Sequence, residues 1–136
     1  MSAPVIAREI LEADATLIAT IPAARIIIGV VPQGTALPCI GITEVSTTDH
    51  LTVGGHRGGT VKVTSRVQIT VMATTYVACR SAMLMARRAA RDFVGTAGSY
   101  TGVTCRLDGQ GPDFMTEAGF CAQTQDLRIT YNESPS

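Results

Sequence analysis

Any chemistry in this 136-residue chain would have to come from a short inventory: His50 and His56, four cysteines and eleven acidic side chains. Both histidines lie in or beside the glycine-rich stretch LTVGGHRGGT (51–60), and neither has a Cys, Asp or Glu at a helical offset suited to sharing a metal. Cys39, Cys79, Cys105 and Cys121 are widely separated, with no CxxC pair and no histidine at zinc-like spacing. Three of them fall on apolar faces, so buried, reduced thiols are expected. Glu44, Asp49, Asp108, Asp113, Glu117 and Asp126 lie in loops or on polar strand faces, where solvation accounts for them. No G-x-S-x-G turn surrounds a candidate nucleophile. A Cys–His or Ser–His pair assembled by the fold stays open, because triad members are distant in a chain. The Gly54–Gly59 loop is a poor phosphate cradle. Such loops need a strand before and a helix N-terminus after, and here a strand follows. Arg80, Arg87, Arg88 and Arg91, with Asp92 the nearby acid, form a basic helix surface suited to solvent or a neighbouring subunit more than to nucleic acid. No catalytic residue, metal site or cofactor is expected.

The elements carrying these residues follow from periodicity. Thr60 to Thr74 alternates strictly: Val61, Val63, Val67, Ile69 and Val71, with Ser65 the polar member, against Lys62, Thr64, Arg66, Gln68 and Thr70. Thirteen residues at about 3.3 Å each reach past ~40 Å, longer than strands usually run in a small domain. Part of the strand is therefore expected to leave the globule as one arm of a hairpin whose tip is 51–60. Before it, Val5, Ile6, Ile10, Leu11, Leu17, Ile18 and Ile21 mark an amphipathic helix, with Asp14 able to recap a second short turn and Pro22 a stop. The run RIIIGVV (25–31) reads as a buried strand. Pro38 opens another, which turns polar on both faces from Glu44 to Thr48 and so should leave the core. After Thr74 or Thr75 as cap, Tyr76 to Val94 reads as a helix with Cys79, Met83, Ala86, Ala90 and Phe93 on one stripe, closed by Gly95. Strands at 99–108 and 120–131 follow, separated by a turn-rich loop (108–119) with exposed Phe114 and Met115. The result is one α+β domain over 1–136, ordered α-β-β-β-α-β-β, with 133–136 a frayed tail. It has an antiparallel-rich sheet of four to five strands, two helices on one face and a long projecting hairpin.

Composition points toward assembly. Eleven basic and eleven acidic residues cancel, so bulk attraction to nucleic acid is not indicated. Charged residues are only 16% of the chain, which suits a surface destined for contact with other subunits. The N-terminus lacks the basic and apolar regions of a signal peptide, and no apolar run reaches the roughly 20 residues of a membrane span. A reducing cytoplasm and no membrane partner are expected.

With these elements in order, the chain resembles the tail-terminator and tail-completion proteins of long-tailed bacteriophages and gene-transfer particles. The likeness rests on Arg25-Ile26-Ile27 after the first helix and on the segment from Pro32-Gln33-Gly34 to Leu37-Pro38. It continues through the strand ending near Val45-Ser46, His50 to Gly54, Arg66 to Val71, the helix start Thr75-Tyr76, and Gln125 to Tyr131. The resemblance implies a non-enzymatic ring, usually a hexamer, at the head-proximal end of the virion tail. Such a ring caps the tail tube, stops its polymerisation and offers a surface for joining the head, and DNA passes through it unread. It implies the tube protein and a connector or stopper protein as partners, with assembly in the host cytoplasm. Within that frame the hairpin (residues 43 to 66) and the loop 108 to 119 are the expected contact surfaces, with Glu44, Ser46, His50, His56, Arg57, Lys62, Thr64, Arg66, Phe114 and Met115 as candidates. The alternatives are a neck or stopper protein, a nucleotide or small-molecule module using Gly54–Gly59, and a DNA-binding protein using the four helix arginines.

Overall fold

A computed structural model describes residues 2–29, 31–32, 37–49, 61–97, 100–111, 114–115 and 119–133. In chain order these form α1 (Ser2–Glu12), α2 (Ala15–Thr20), a 3-10 turn (Ala23–Arg25), β1 (Ile26–Ile28) and β2 (Cys39–Asp49). Next come β3 (Val61–Ala73), α3 (Tyr76–Ala90), β4 (Phe93–Ala97), β5 (Tyr100–Gln110), β6 (Phe114–Met115) and β7 (Cys121–Glu133). The α+β class is as expected, but the sheet is larger: its order is β1-β2-β3-β7-β5-β4, with β6 added on β7. Among the described strands only the β1–β2 pair is parallel. Three helices replace the expected two, because the first breaks where Asp14 accepts the Leu17 N–H at 2.9 Å and recaps the chain.

The sheet curls around its helices. α1 lies against β1, β2 and β3 and also reaches β4 at the far edge, while α3 covers β3, β7 and β5. One contiguous core results. Ala3, Ile6, Ala7, Ile10 and Leu11 of α1, and Cys79, Met83, Ala86 and Ala90 of α3, meet the odd-numbered side chains of β3.

Two further sequence expectations are corrected. The helix from Tyr76 ends at Ala90, not Val94. Arg91 is already extended and Asp92 has φ +51°, a left-handed conformation that a short acidic side chain tolerates. The chain then reverses into β4, where Phe93 pairs with Cys105 and Val94 with Thr104. The second correction concerns the first half of β3, which does not leave the core as one arm of a ribbon. β7 pairs with it along its whole length, from Val61–Glu133 to Ala73–Cys121. Val63 is 1% exposed and Ser65 fully buried. The cause is Tyr131: opposite Val63 on β7, its buried ring meets Tyr100 edge-on at 5.7 Å and carries the core downward. Ser65, the polar member of the alternation, shares a 3.0 Å hydroxyl hydrogen bond with Thr47. The hairpin tip and the tail from 134 lie outside the described residues.

Candidate assembly surface

Cysteine chemistry is opposed by the fold. Cys39, Cys79 and Cys105 are buried and Cys121 is half-buried. Burial, with the Asp92 charge adding to it, pushes the Cys105 thiol up to about 12, and burial also raises Cys39 against the opposing pull of Arg25. A thiol held protonated is neither a nucleophile nor a metal ligand. Among the described residues no three His, Cys, Asp or Glu side chains gather as a metal site.

Strand register, not sequence spacing, builds the polar surface. The even-numbered residues of β3 face away from the helices, and Arg66 stands directly opposite Arg128 of β7, which stands opposite Arg106 of β5. Like charges in directly opposed positions repel. The next row supplies the answer, because Asp126 lies opposite Gln68 and Asp108 lies close by on β5. Arg66 Nη2 meets Asp126 at 2.8 Å and its Nε reaches Asp108 at 3.9 Å, while Arg128 Nη2 meets Asp108 at 3.3 Å. Arg106 has no carboxylate within ion-pair distance among the described residues. The arginine side chains are about half exposed (46% and 62%), so each pair is worth about 0.2–1 kcal/mol. One row further along β3, the Thr64 and Thr130 hydroxyls meet at 3.1 Å. The helix-free face of the sheet is therefore a polar lattice in which Asp108 and Asp126 pair with Arg66 and Arg128 while Arg106 carries surplus positive charge.

At the border of this lattice, β2 has no strand on its outer side beyond Ile42 among the described residues. β1 pairs only with Ile40, Gly41 and Ile42, and Thr43 to Thr48 are all exposed, as the two-sided polarity of that stretch predicts. The register slips between Glu44 and Ser46, leaving Val45 as a bulged residue, 55% exposed. Glu44 accepts the Thr47 hydroxyl hydrogen.

The candidate residues thus divide into two groups. Glu44, Ser46, Lys62, Thr64 and Arg66 share the β2–β3 part of the sheet. Phe114 and Met115 sit on β6 against Ala122 and Cys121, at the opposite end of β7, 46% and 68% exposed. That end lies beside α3, where Arg80, Arg88 and Arg91 are exposed. Arg87 is half-buried beside a cavity of about 30 Å³ that Arg80, Leu84, Gln110 and Gln123 also line, room for about one water. His50, His56 and Arg57 lie outside the described residues.

Sequence reading missed three features. The arginine row has no signature, because alternation tells which face a residue takes but not which residue it meets across the ladder. Gln125 is a second. It is fully buried, and its Nε2 donates to the carbonyls of Asp108 (3.0 Å), Gly109 (3.3 Å) and Asp126 (2.9 Å), holding the point where β5 slips register. The third is β4, an edge strand hidden behind an in-phase helical pattern.

Comparison with known proteins agrees with this architecture. A search of curated proteins found no match. Among solved structures, a chain from the virion of a native gene transfer agent (GTA) particle superposes with a TM-score of 0.69 at 16% sequence identity, covering 96% of this chain and 95% of that one. That likeness shows the fold. The family model described as tail completion protein gp17 matches residues 7–132, from the first helix to the end of the last strand. The chain belongs to the tail completion protein gp17 family, a family of bacteriophage virion structural proteins.

Proposed function

We propose that this chain is a non-enzymatic structural subunit that forms a ring, a hexamer, on the head-proximal end of the tail tube. There it ends tail polymerisation and provides the surface that joins the head. The observation that carries this reading is the family match across nearly the whole chain. The residues support it in kind. The sheet offers contact surfaces, namely a polar lattice, exposed edges and the apolar pair Phe114 and Met115, while burial raises the pKa of the Cys39 and Cys105 thiols. The tube protein below and a connector or stopper protein above are the partners, and DNA traverses the ring without base contacts.

Assembly without the protein tests this. If the chain caps the tube, particles lacking it carry tails of uncontrolled length that do not join heads, and adding the purified chain restores both. Tails of normal length that merely stay unjoined would instead favour the neck or stopper position.

A further inference from the structure

We infer that the ring is closed by β-sheet pairing between copies, with the exposed β4 edge of one subunit against the exposed lower edge of β2, Thr43 to Thr48, in the next. This rests on the ring reading above and names its interface.

Every sheet edge presents unpaired N–H and C=O groups, and proteins usually cover or blunt them. At the β1 edge this has been done: Arg8 Nε donates to the Ile26 carbonyl at 3.0 Å and its Nη2 to the Ala23 carbonyl at 3.4 Å. The other two edges carry no such guard among the described residues. β4 reads FVGTA, without charge or proline; Val94 is 76% exposed, and Gly95 and Thr96 are exposed beside it. A groove of about 300 Å³ runs along β4, lined by Asp92, Phe93, Val94, Thr104 and Arg106. On the far side, Thr43 to Asp49 has β3 on one flank and no strand on the other among the described residues.

Register and direction then fit the two edges to each other. Phe93 pairs with Cys105, Cys105 with Ile129, Ile129 with Ser65 and Ser65 with Thr47, so the edges lie at the same level of the sheet. Five strands separate outside from outside: β2, β3, β7, β5 and β4. Each of the four steps between them is antiparallel, so β2 and β4 run in the same direction. Two copies related by rotation about an axis along the strands therefore bring β4 and the next β2 together as a parallel pair, and the operation repeats. Such an interface uses two different patches per subunit, as a closed ring requires. Pairing about a two-fold axis would join β4 to β4 and leave both β2 edges bare. The rotational arrangement covers both of these edges with a single repeated interface, and main-chain hydrogen bonds between strand edges are an established mode of association.

Cysteine cross-linking tests the pairing, in a Cys121→Ser background where the three remaining native cysteines are buried. Val94→Cys is combined in one chain with Thr47→Cys or Thr48→Cys, and assembled protein is oxidised. The expected result is a denaturing-gel ladder rising to the ring's full subunit number for the double variant, with monomer alone for each single variant. Cross-linked dimer from Val94→Cys alone would overturn the inference in favour of two-fold pairing. Rings of normal native mass with no cross-link at any combination would overturn it while leaving the ring reading intact. A chain monomeric at every concentration would sink the ring reading and this interface with it. As an independent arm, Val94→Lys should keep the thermal midpoint and abolish rings; rings that persist would contradict the pairing.

Discussion

The upper and lower halves of the same sheet solve opposite problems. In the upper half, Cys39 to Ile42 of β2 have β1 beside them, and α3 covers the apolar residues from Val67 to Ala73. The edge there is guarded by Arg8. In the lower half the core persists, through Val63, Ser65, Tyr131 and Val103, but the strands at both margins are exposed. What differs is not burial of the middle but treatment of the edges. One half has its edge covered, and the other is buried at its centre with margins that meet no further strand among the described residues. That combination suits a subunit whose remaining hydrogen bonds are made by its neighbours.

The sharpest way to break this contrast is to ask whether the lower centre is core at all. Tyr131→Ala removes a buried ring packed on Tyr100 and should cost about 3–5 kcal/mol in urea unfolding. A cost under about 1 kcal/mol would restore the picture of a free arm. Next in size is the cap that divides the first helix: Asp14→Ala should lose about 1 kcal/mol in the same measurement, whereas Asp14→Asn should lose less. Smaller still is the outer lattice. Arg66→Ala should cost about 0.2–1 kcal/mol, and 1 M salt should erase most of that difference, since solvated ion pairs are screened.

The core's thiols give a pH signature. The unfolded chain releases the Cys105 proton near 9.0, while the folded chain holds it until about 12. Between those values the unfolded state binds fewer protons, so stability is fully present below pH 9 and declines as pH rises toward 12. Thermal melts from pH 8 to 11 should show this fall, and Cys105→Ala should flatten it.

Much of the fold was legible in the sequence. The alternation of Thr60 to Thr74 gave the faces of β3 correctly, Thr75 caps α3 through the Ala78 N–H, and the polar stretch from Glu44 left the core. The failures have a common origin in local pattern. Phe93 falls in phase with the helix stripe and Gly95 resembles a helix stop, so β4 was hidden behind a good helical signal. The polarity of Lys62, Thr64 and Arg66 suggested an exposed arm, yet these residues are only the outer face of a central strand whose inner face Tyr131 buries. The partner that decides the matter is almost seventy residues away in the chain. The candidate surfaces were half legible: exposed Phe114 and Met115 and the helix arginines could be named, but not the Arg66–Arg128–Arg106 row, which exists only once three strands are in register.

Ring closure by this tail-completion chain is tested most directly by native mass measurement of the purified chain, with negative-stain imaging of the same sample. A single closed oligomer of six copies with a central hole is the result expected. A monomer, a two-fold dimer or an open filament at all concentrations would contradict it.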